Sequence, residues 1–304
     1  MLIRKILYPT DFSRCAKHGL TYAVRLAEHF GAELHLLHAI LLHGEDPYNP
    51  AYHFPDRDEI HRRVKEVADS EMGLLVEDQS TQLTIRQVQR RGIYAGPVIL
   101  EYAQEHDIDL IIMGTHGHRG PTHLFLGSVA DEVVRQAPCP VLTLRELTEP
   151  RALAVPQRIL VPVDFSDHSR RSVGLARDLA QRYGARLQLL HVNEPIQFPE
   201  FYDMAVPSPG EELKRRSLEA LHELMAEVGG PEVPFEVHVA VGRPAIEIAA
   251  FADQQASDLV VIATHGLTGF QRLVMGSTAE KVVRLCVCPV LSVKWTEKGF
   301  SSEP

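Results

Sequence analysis

The segment ILYPTDFS at residues 6–13 is repeated as ILVPVDFS at residues 159–166, half the chain away. A second segment, GAELHLLH at residues 31–38, is repeated as GARLQLLH at residues 184–191. The repeats of solenoid proteins are about 20 to 50 residues long, so a repeat with a period of half the chain is a whole domain. The sequence therefore predicts two copies of one domain in tandem.

The length of the chain agrees with two domains. It has 304 residues, which gives each copy the usual size of a domain with its own hydrophobic core. We predict the first domain over residues 1–146 and the second over residues 157–295, with a linker between them. The function can then be sought in one copy and compared with the other.

The composition disfavours some partners. Hydrophobic residues make up 45% of the chain and charged residues 23%, as is typical of soluble proteins. The net charge of -9 disfavours non-specific binding to nucleic acid or to an anionic membrane. No apolar run reaches the roughly 18 residues of a membrane span, and the first residues lack the apolar core of a signal peptide. We expect a cytoplasmic protein without nucleic-acid or membrane partners.

The cysteines indicate structural thiols. Cys139 and Cys288 occupy equivalent positions in the two copies, each just before Pro-Val at the start of an apolar run. Cys286 and Cys288 are separated by one residue, whereas zinc knuckles and redox pairs have a two-residue gap. We predict reduced, buried cysteines and no metal site.

Strand and helix patterns alternate along each copy, which predicts a parallel sheet with helices on both faces. In the first copy we predict strands at 3–8, 33–40, 83–88, 109–113 and 141–144, and helices at 13–30, 59–77, 96–105 and 128–136. Asp11 or Ser13 can cap the first helix. The Pro-rich stretches 41–58 and 194–210 are candidate lids. The fold class is α/β, with two tandem Rossmann-like domains of five parallel strands each.

In such sheets the ligand binds beyond the carboxyl ends of the strands, where the strand order reverses. A glycine-rich stretch follows the fourth strand: GTHG at residues 114–117, nine further residues, and GSV at 127–129. Glycines let the backbone approach a ligand, and Gly-Ser at the start of a helix directs amides toward an anion. The pattern indicates phosphate binding. It is not a P-loop, because the loop contains no lysine.

This glycine pattern, together with the Pro-x-Asp of the first strand and a final Cys-Pro-Val-Leu strand, closely resembles the ATP-binding branch of the universal stress protein family. The resemblance covers both copies. It implies that the ATP-binding residues of the first copy are Pro9, Thr10, Asp11, Ala39, Met113, Gly114, His116, Gly117, Gly127, Ser128 and Val129. It implies that those of the second copy are Pro162, Val163, Asp164, Val192, Ile262, Ala263, His265, Gly266, Gly276, Ser277 and Thr278.

The resemblance also implies a role for each group of positions. The aspartate of strand one, the residue after the strand-two histidine and the residue before the first glycine lie at the adenosine end. The first two glycines of the loop and the histidine between them line the path of the ribose and phosphates. The segment that begins with Gly127, and its equivalent in the second copy, bind phosphate through backbone amides and a hydroxyl. One departure from the pattern is Ala263, where the first copy has Gly114. If this position needs a positive φ or a close approach of the backbone to the ligand, alanine should weaken the second site. Val192, in turn, offers adenine more apolar contact than Ala39. We expect both sites to bind ATP.

Several of these residues have simpler interpretations. Asp11 and Asp164 could only cap the first helix of their copy, and His38 and His191 are more typical of core or rim histidines than of catalysts. The loop histidines could bind zinc, although imidazolium would also suit a loop that faces an anion. The residues concerned are His116, His118 and His123. Arg119 and Arg272 either reach the phosphates or remain solvated.

Phosphoryl transfer needs a cation clamp and a positioned base or water in addition to a phosphate cradle. The sequence shows only the cradle, so we assign no catalytic residue and expect slow hydrolysis at most. The first hypothesis is a stress-response protein that binds ATP, with Mg²⁺ on the phosphates, as a nucleotide-dependent regulator or interaction module. A slow ATPase, or an enzyme that phosphorylates its own Ser128 or Ser277, is the first alternative. A nucleotide-free scaffold is the second.

The last strand of each copy suggests how the copies associate. Matched edge strands usually pair isologously, and related domains pair through this strand. We expect an intramolecular pseudo-dimer, and a homodimer of the whole chain is compatible with the sequence. The protein partner of such a regulator is not specified by the residues.

Overall fold

The structure is a computed structural model, and the residues it describes are 3–41, 57–77, 79, 83–115, 126–145, 156–195, 210–265 and 275–294. The chain divides into two compact units, residues 2–150 and residues 151–304. We call them the N-terminal and the C-terminal unit. Each is described by itself below.

The N-terminal unit alternates strands and helices along its whole length. Its elements are β1 Lys5–Pro9, α1 Arg14–Phe30, β2 Glu33–Leu41, α2 Arg57–Glu77, β3 Ile85–Gly92, α3 Ala95–Glu105, β4 Leu110–Gly114, α4 Ser128–Gln136 and β5 Val141–Leu144. The five strands pair in parallel in the order β3-β2-β1-β4-β5. The order reverses between β1 and β4, which is where such sheets bind ligands.

The C-terminal unit repeats this arrangement. Its elements are β6 Arg158–Pro162, α5 Asp167–Tyr183, β7 Arg186–Asn193, α6 Gly210–Val228, β8 Phe235–Val241, α7 Pro244–Gln254, β9 Leu259–Ala263, α8 Ser277–Leu285 and β10 Val290–Val293. The strands are again parallel, in the order β8-β7-β6-β9-β10. Helices α5 and α6 pack together, as do α7 and α8. The predicted fold class is confirmed.

The predicted boundaries agree with the observed ones to within one or two residues, except at β3. The sequence placed this strand at 83–88, whereas the structure has Ile85–Gly92. The strand reads IRQVQRRG and is only partly buried along its length, because it is the edge strand of its sheet. A polar edge strand has no apolar alternation to mark its ends. Among the described residues, no helix is long and apolar enough to span a bilayer.

None of the four cysteines, all of which are described, forms a disulfide. Cys15, Cys139 and Cys286 are buried, and Cys288 is half-buried. Burial raises the pKa of the Cys139 thiol to about 12, which keeps it protonated and unreactive at neutral pH. The described residues contain no cluster of three potential metal ligands, histidines and acids included.

The centre of each sheet is buried on both faces. The two units use different side chains where the first strand packs against the first helix. In the N-terminal unit, Tyr8 is fully buried and its hydroxyl donates to the carbonyl of Ala16 on α1, 2.6 Å away. A β-carbon at Gly19 would clash with that hydroxyl. In the C-terminal unit the equivalent residues are Val161 and Ser172. The large Tyr8 is therefore paired with a glycine in the N-terminal unit, and the smaller Val161 is paired with a serine in the C-terminal unit.

A buried histidine distinguishes the N-terminal unit from its copy. His35 on β2 is only 1% exposed, and its Nδ1 lies 2.8 Å from the hydroxyl of Tyr102 on α3. Its Nε2 lies 3.2 Å from a carboxylate oxygen of Glu33. Burial lowers the pKa of His35 and outweighs the opposing effect of Glu33. The C-terminal unit has Gln188 at this position, which accepts a hydrogen bond from Ser257 at 2.9 Å.

We predict that Tyr8 and Gly19 are energetically coupled. Gly19→Ser should lower the free energy of unfolding by about 1 to 3 kcal/mol, because the added side chain overpacks the site below Tyr8. Combining it with Tyr8→Val, which reproduces the pair of the C-terminal unit, should cost less than the sum of the two single changes. Urea unfolding of the four proteins in a double-mutant cycle measures the coupling. Strict additivity would contradict the packing described here.

We also predict that His35 makes stability depend on pH. Because the folded pKa lies below the unfolded value of about 6.5, the stability that neutral His35 contributes is present above that pH and is lost as the pH falls toward the folded pKa. Urea unfolding at pH 7.5 and at pH 5.5 should show a smaller loss for His35→Gln than for the unchanged chain. Equal losses would mean that other groups carry the pH dependence.

Candidate functional site

The strand register of each unit brings the predicted site residues to one edge of the sheet. In the N-terminal unit, Pro9 pairs with Leu37, and the amide of Thr10 donates to the Leu37 carbonyl at 2.8 Å. On the other side of β1, Leu7 pairs with Ile111 of β4. The segments that follow these pairs therefore reach the same rim on neighbouring strands. They contain Pro9, Thr10, Asp11, Ala39, Met113 and Gly114.

The same register holds in the C-terminal unit. The amide of Val163 donates to the Leu190 carbonyl at 2.8 Å, and Leu160 pairs with Val260 of β9. The corresponding rim contains Pro162, Val163, Asp164, Val192, Ile262 and Ala263. Both rims lie at the carboxyl edge of the sheet, beside the reversal of strand order.

In the turn after the first strand, an aspartate and a serine each accept a hydrogen bond from a backbone amide. Asp11 Oδ1 accepts the amide of Ser13 at 3.0 Å, and Asp164 Oδ1 accepts the amide of Ser166 at the same distance. The helix caps are the serines, whose hydroxyls accept the amides of Ala16 at 3.2 Å and of Ser169 at 3.1 Å. The interpretation of the two aspartates as helix caps is therefore wrong. Their carboxylates shape the turn at the rim.

The same turn contains a residue in a strained conformation. Phe12 has φ 64° and Phe165 has φ 63°, a left-handed conformation that is unfavourable for a residue with a β-carbon. It costs on the order of 1 to 2 kcal/mol and persists only where surrounding contacts hold it. In the N-terminal unit the Thr10 hydroxyl accepts the amide of Phe12 at 3.1 Å. Because equivalent residues of both copies have this strained conformation, we interpret the turn as part of a functional site.

A positive φ, one of the two reasons for expecting a weaker second site, does not occur at the position of Ala263. Gly114 and Ala263 are the last residues of β4 and β9, and neither is among the residues with positive φ. Gly114 pairs with Leu144 and Ala263 pairs with Val293 in the regular ladder. Alanine therefore occupies this position without backbone strain. Among the described residues of the site, positive φ occurs in the turn after the first strand instead.

Two buried threonines, which the sequence reasoning did not single out, fix the base of the glycine-rich loop. Thr115 and Thr264 are each 2% exposed. The carbonyl of Thr115 accepts the amide of Gly127 at 2.8 Å, and that of Thr264 accepts the amide of Gly276 at 2.7 Å. The two ends of each loop are thus joined directly. Threonine directly before His-Gly in both repeats was the signal that could have revealed them.

Part of the predicted site lies outside the described residues. This applies to His116, Gly117 and Gly266, to the candidate zinc ligands His118 and His123, and to Arg119 and Arg272. The candidate lids also fall largely outside them, at 42–56 and 196–209. His265 is described, and its Nδ1 lies 3.0 Å from the Thr264 hydroxyl. Burial lowers the pKa of His265, and the nearby His168 and Lys294 lower it further, so the neutral form of this ring predominates at pH 7.

The helices that follow the loops begin with glycine. Gly127 caps α4 with φ -60° and ψ 143°, and Gly276 caps α8 with φ -60° and ψ 140°. Any residue can adopt this conformation. A β-carbon on Gly276 would find the carbonyl oxygen of Thr264 at 3.4 Å, which is ordinary contact. The backbone angles do not explain the glycine, and at Gly276 the packing against the described residues does not explain it either.

A glycine cap leaves the first amides of the helix without a side-chain partner. Helices α1 and α5 begin with a serine whose hydroxyl bonds to the first turn, whereas α4 and α8 have no such bond. In α4 the first helical hydrogen bond runs from the Asp131 amide to Gly127, so the amides of residues 128–130 precede the ladder. Such a helix end attracts anions through its amides and its dipole.

Charge at these helix ends is also balanced. Each helix carries an acidic residue in its first turn, which alone would repel an anion. Asp131 is paired with Arg135 at 2.9 Å, and Glu280 with Arg284 at 3.7 Å. The arginines reduce the negative potential near the amides.

Comparison with known proteins agrees with the repeat. The model of the universal stress protein family matches residues 2–145 and again residues 156–294. A universal stress protein of Methanocaldococcus jannaschii is 34% identical over 150 residues, which cover 47% of this chain and 84% of that protein. One from Thermus aquaticus is 39% identical over 138 residues, covering 45% of this chain and 97% of that protein.

A solved structure resembles the whole chain. The crystal structure of a universal stress protein from Archaeoglobus fulgidus DSM 4304 has a TM-score of 0.68, with 22% sequence identity. The similarity covers 97% of both chains. It shows that the two proteins share their fold along their full length.

Proposed function

Because the chain belongs to the universal stress protein family, we propose that each of its units binds ATP at the carboxyl edge of its sheet. Nucleotide occupancy would then alter the shape or partner binding of a cytoplasmic stress-response protein. The observation that carries the proposal is the glycine cap of α4 and α8. The backbone angles do not require glycine there, nor, at Gly276, does packing against the part of the chain that the structure describes. A missing side chain at a helix N-terminus leaves room for a phosphate.

The phosphate end of the proposed site consists mainly of backbone amides. The amides of Ser128 and Val129 in α4, and of Ser277 and Thr278 in α8, precede the helical hydrogen-bond ladder. The positive end of the helix dipole adds to their attraction for an anion. In the proposal these amides hold phosphate oxygens, with Mg²⁺ as the counter-ion on the phosphates.

The adenosine end of the proposed site combines apolar surface with one carboxylate. Met113 and Ile262 are buried at the rim, and Ala39 and Val192 are half-buried there. Carboxylates at this edge of doubly wound sheets accept hydrogen bonds from ribose hydroxyls. The proposal gives that role to Asp11 and Asp164.

The proposal is binding without efficient turnover. Efficient phosphoryl transfer needs a cation and a positioned base or water on the transferred group. The described rim offers amides, a carboxylate and, near His265, the ammonium group of Lys294, and the proposal assigns none of them the role of a base. Nucleotide would then act as a ligand that selects a conformation. Pairing of the two units through their last strands and a homodimer of the chain remain predictions.

The direct test uses the full chain purified without added nucleotide. Mass spectrometry of the denatured eluate identifies any nucleotide that copurifies, and calorimetry with ATP, in Mg²⁺ and then in EDTA, gives affinity and stoichiometry. Binding of ATP with negligible phosphate release over hours supports the proposal. Steady phosphate release would instead identify an ATPase, and absence of binding would leave a nucleotide-free scaffold.

We predict that Gly276→Asp separates stability from binding. Aspartate is a better cap than glycine, so the free energy of unfolding should stay the same or rise by a few tenths of a kcal/mol. Its carboxylate would bond to the amides and repel the phosphates, so the ATP affinity of the second site should fall by at least about tenfold, or 1.4 kcal/mol. Calorimetry and urea unfolding measure the two effects.

Matched variants sharpen this result. Gly127→Asp should weaken the first site and spare the second. Gly276→Ala fits the observed backbone and space, and adds neither charge nor a cap. It should weaken binding less than aspartate does. If the aspartate variants stabilise the helix and leave the ATP affinity unchanged, these glycines do not bind phosphate and are only part of the turn.

We predict that Ala263→Gly changes the ATP affinity of the second site by less than about threefold, because extended backbone gives glycine no advantage there. Calorimetry on this variant and on its mirror, Gly114→Ala, measures the effect. Tightening of the second site by tenfold or more would show that the β-carbon itself obstructs the ligand.

A further inference from the structure

A histidine at the end of the second strand contacts the turn after the first strand in both units. Nδ1 of His38 lies 2.8 Å from the carbonyl oxygen of Thr10, and Nδ1 of His191 lies 2.7 Å from that of Val163. A carbonyl oxygen only accepts hydrogen bonds, so Nδ1 carries the proton and donates it. Each histidine therefore holds the residue directly before the rim aspartate.

The same ring also contacts the residue directly after the aspartate. The ring of His38 lies 4.3 Å from that of Phe12, and the ring of His191 lies 4.7 Å from that of Phe165, measured between centroids. These phenylalanines are the residues with positive φ. His38 thus contacts the residues on both sides of Asp11, and His191 contacts those on both sides of Asp164.

The two copies differ around this contact but keep it. Thr10 is replaced by Val163, which removes the hydroxyl that accepts the amide of Phe12 in the N-terminal unit. The histidine bond survives because it uses a backbone carbonyl, which every residue has. Both units keep the contact between the histidine ring and the strained phenylalanine.

We infer that His38 and His191 are positioning residues that hold the aspartate turn in the conformation that binds nucleotide. The inference rests on the proposed function. The histidines act through the turn and not by touching the ligand. Without the bond, the strained residue is free to relax to negative φ, which would redirect the neighbouring carboxylate away from the crevice.

The test compares two substitutions of similar polarity. In His38→Asn the side-chain amide nitrogen takes the place of Nδ1 and can still donate to Thr10. In His38→Gln the corresponding nitrogen lies one bond farther out, at the place of Nε2. The probe is 8-azido-ATP at a subsaturating concentration, crosslinked by light to the full chain. Mass spectrometry then compares labelled peptides from the two units, so that the C-terminal unit serves as the internal control.

We expect His38→Gln to lower the ratio of N-terminal to C-terminal label by at least about fivefold, and His38→Asn to stay within about twofold of the unchanged chain. The mirror variants of His191 should shift the ratio in the opposite direction. Thermal unfolding of every variant separates this effect from stability, since a merely structural histidine would give label ratios that follow the melting temperature.

The outcomes are distinguishable. If the unchanged chain labels in both units and the Asn and Gln variants label equally, the positioning role is overturned and nucleotide binding stands. If the unchanged chain takes up no label in either unit, the proposed function fails, and the positioning role fails with it.

Discussion

The hydrogen bond from the Thr10 amide to the Leu37 carbonyl extends the ladder between β1 and β2 one residue past the end of β1. The whole rim depends on this bond, because it fixes where the chain leaves the sheet. A shift of one residue would turn every side chain of the strand to the opposite face. Asp11 would then point away from the crevice, and the strained turn would lose its support.

The tandem repeat allows the structure to be compared with itself. Both units keep the bond from the aspartate to the serine amide, the histidine contact, the threonine at the base of the loop and the glycine cap. The interiors differ: His35 corresponds to Gln188, and Tyr8 to Val161. These contacts at the rim are retained although four rim positions differ, while the cores are packed differently. Thr10, Ala39, Met113 and Gly114 correspond to Val163, Val192, Ile262 and Ala263. The proposed nucleotide site depends on these contacts and would account for their retention.

Much of the fold follows from the sequence because the central strands are buried on both faces and read as apolar runs. Tyr8 and its neighbours in β1 are fully buried, and the ends of α1 are marked by Ser13 and Gly31. The edge strand β3 was misplaced, since its position depends on its neighbour β2 and its own residues are polar. Pairing partners are tertiary information that a local pattern does not contain.

The candidate site was predictable to a similar degree. Its glycine caps could be identified in the sequence, and the structure places both glycines at the N-terminus of a helix, as the motif suggests. The sequence suggested positive φ at Gly114, because glycine is the residue that adopts it most readily. The structure has it at Phe12, whose residue type gives no such indication. A phenylalanine adopts positive φ only when other parts of the fold hold it there, here a hydroxyl and a histidine ring. Such positions emerge from contacts between distant segments.

The exchange of Tyr8 with Gly19 for Val161 with Ser172 has a consequence for the history of the gene. Tandem repeats recombine with each other, and a crossover between the first strand and the first helix would join the strand of one repeat to the helix of the other. One hybrid would place tyrosine against serine and clash, and the other would place valine against glycine and leave a void. The complementary packing of each core therefore penalises exchanges that separate the first strand of a repeat from its first helix.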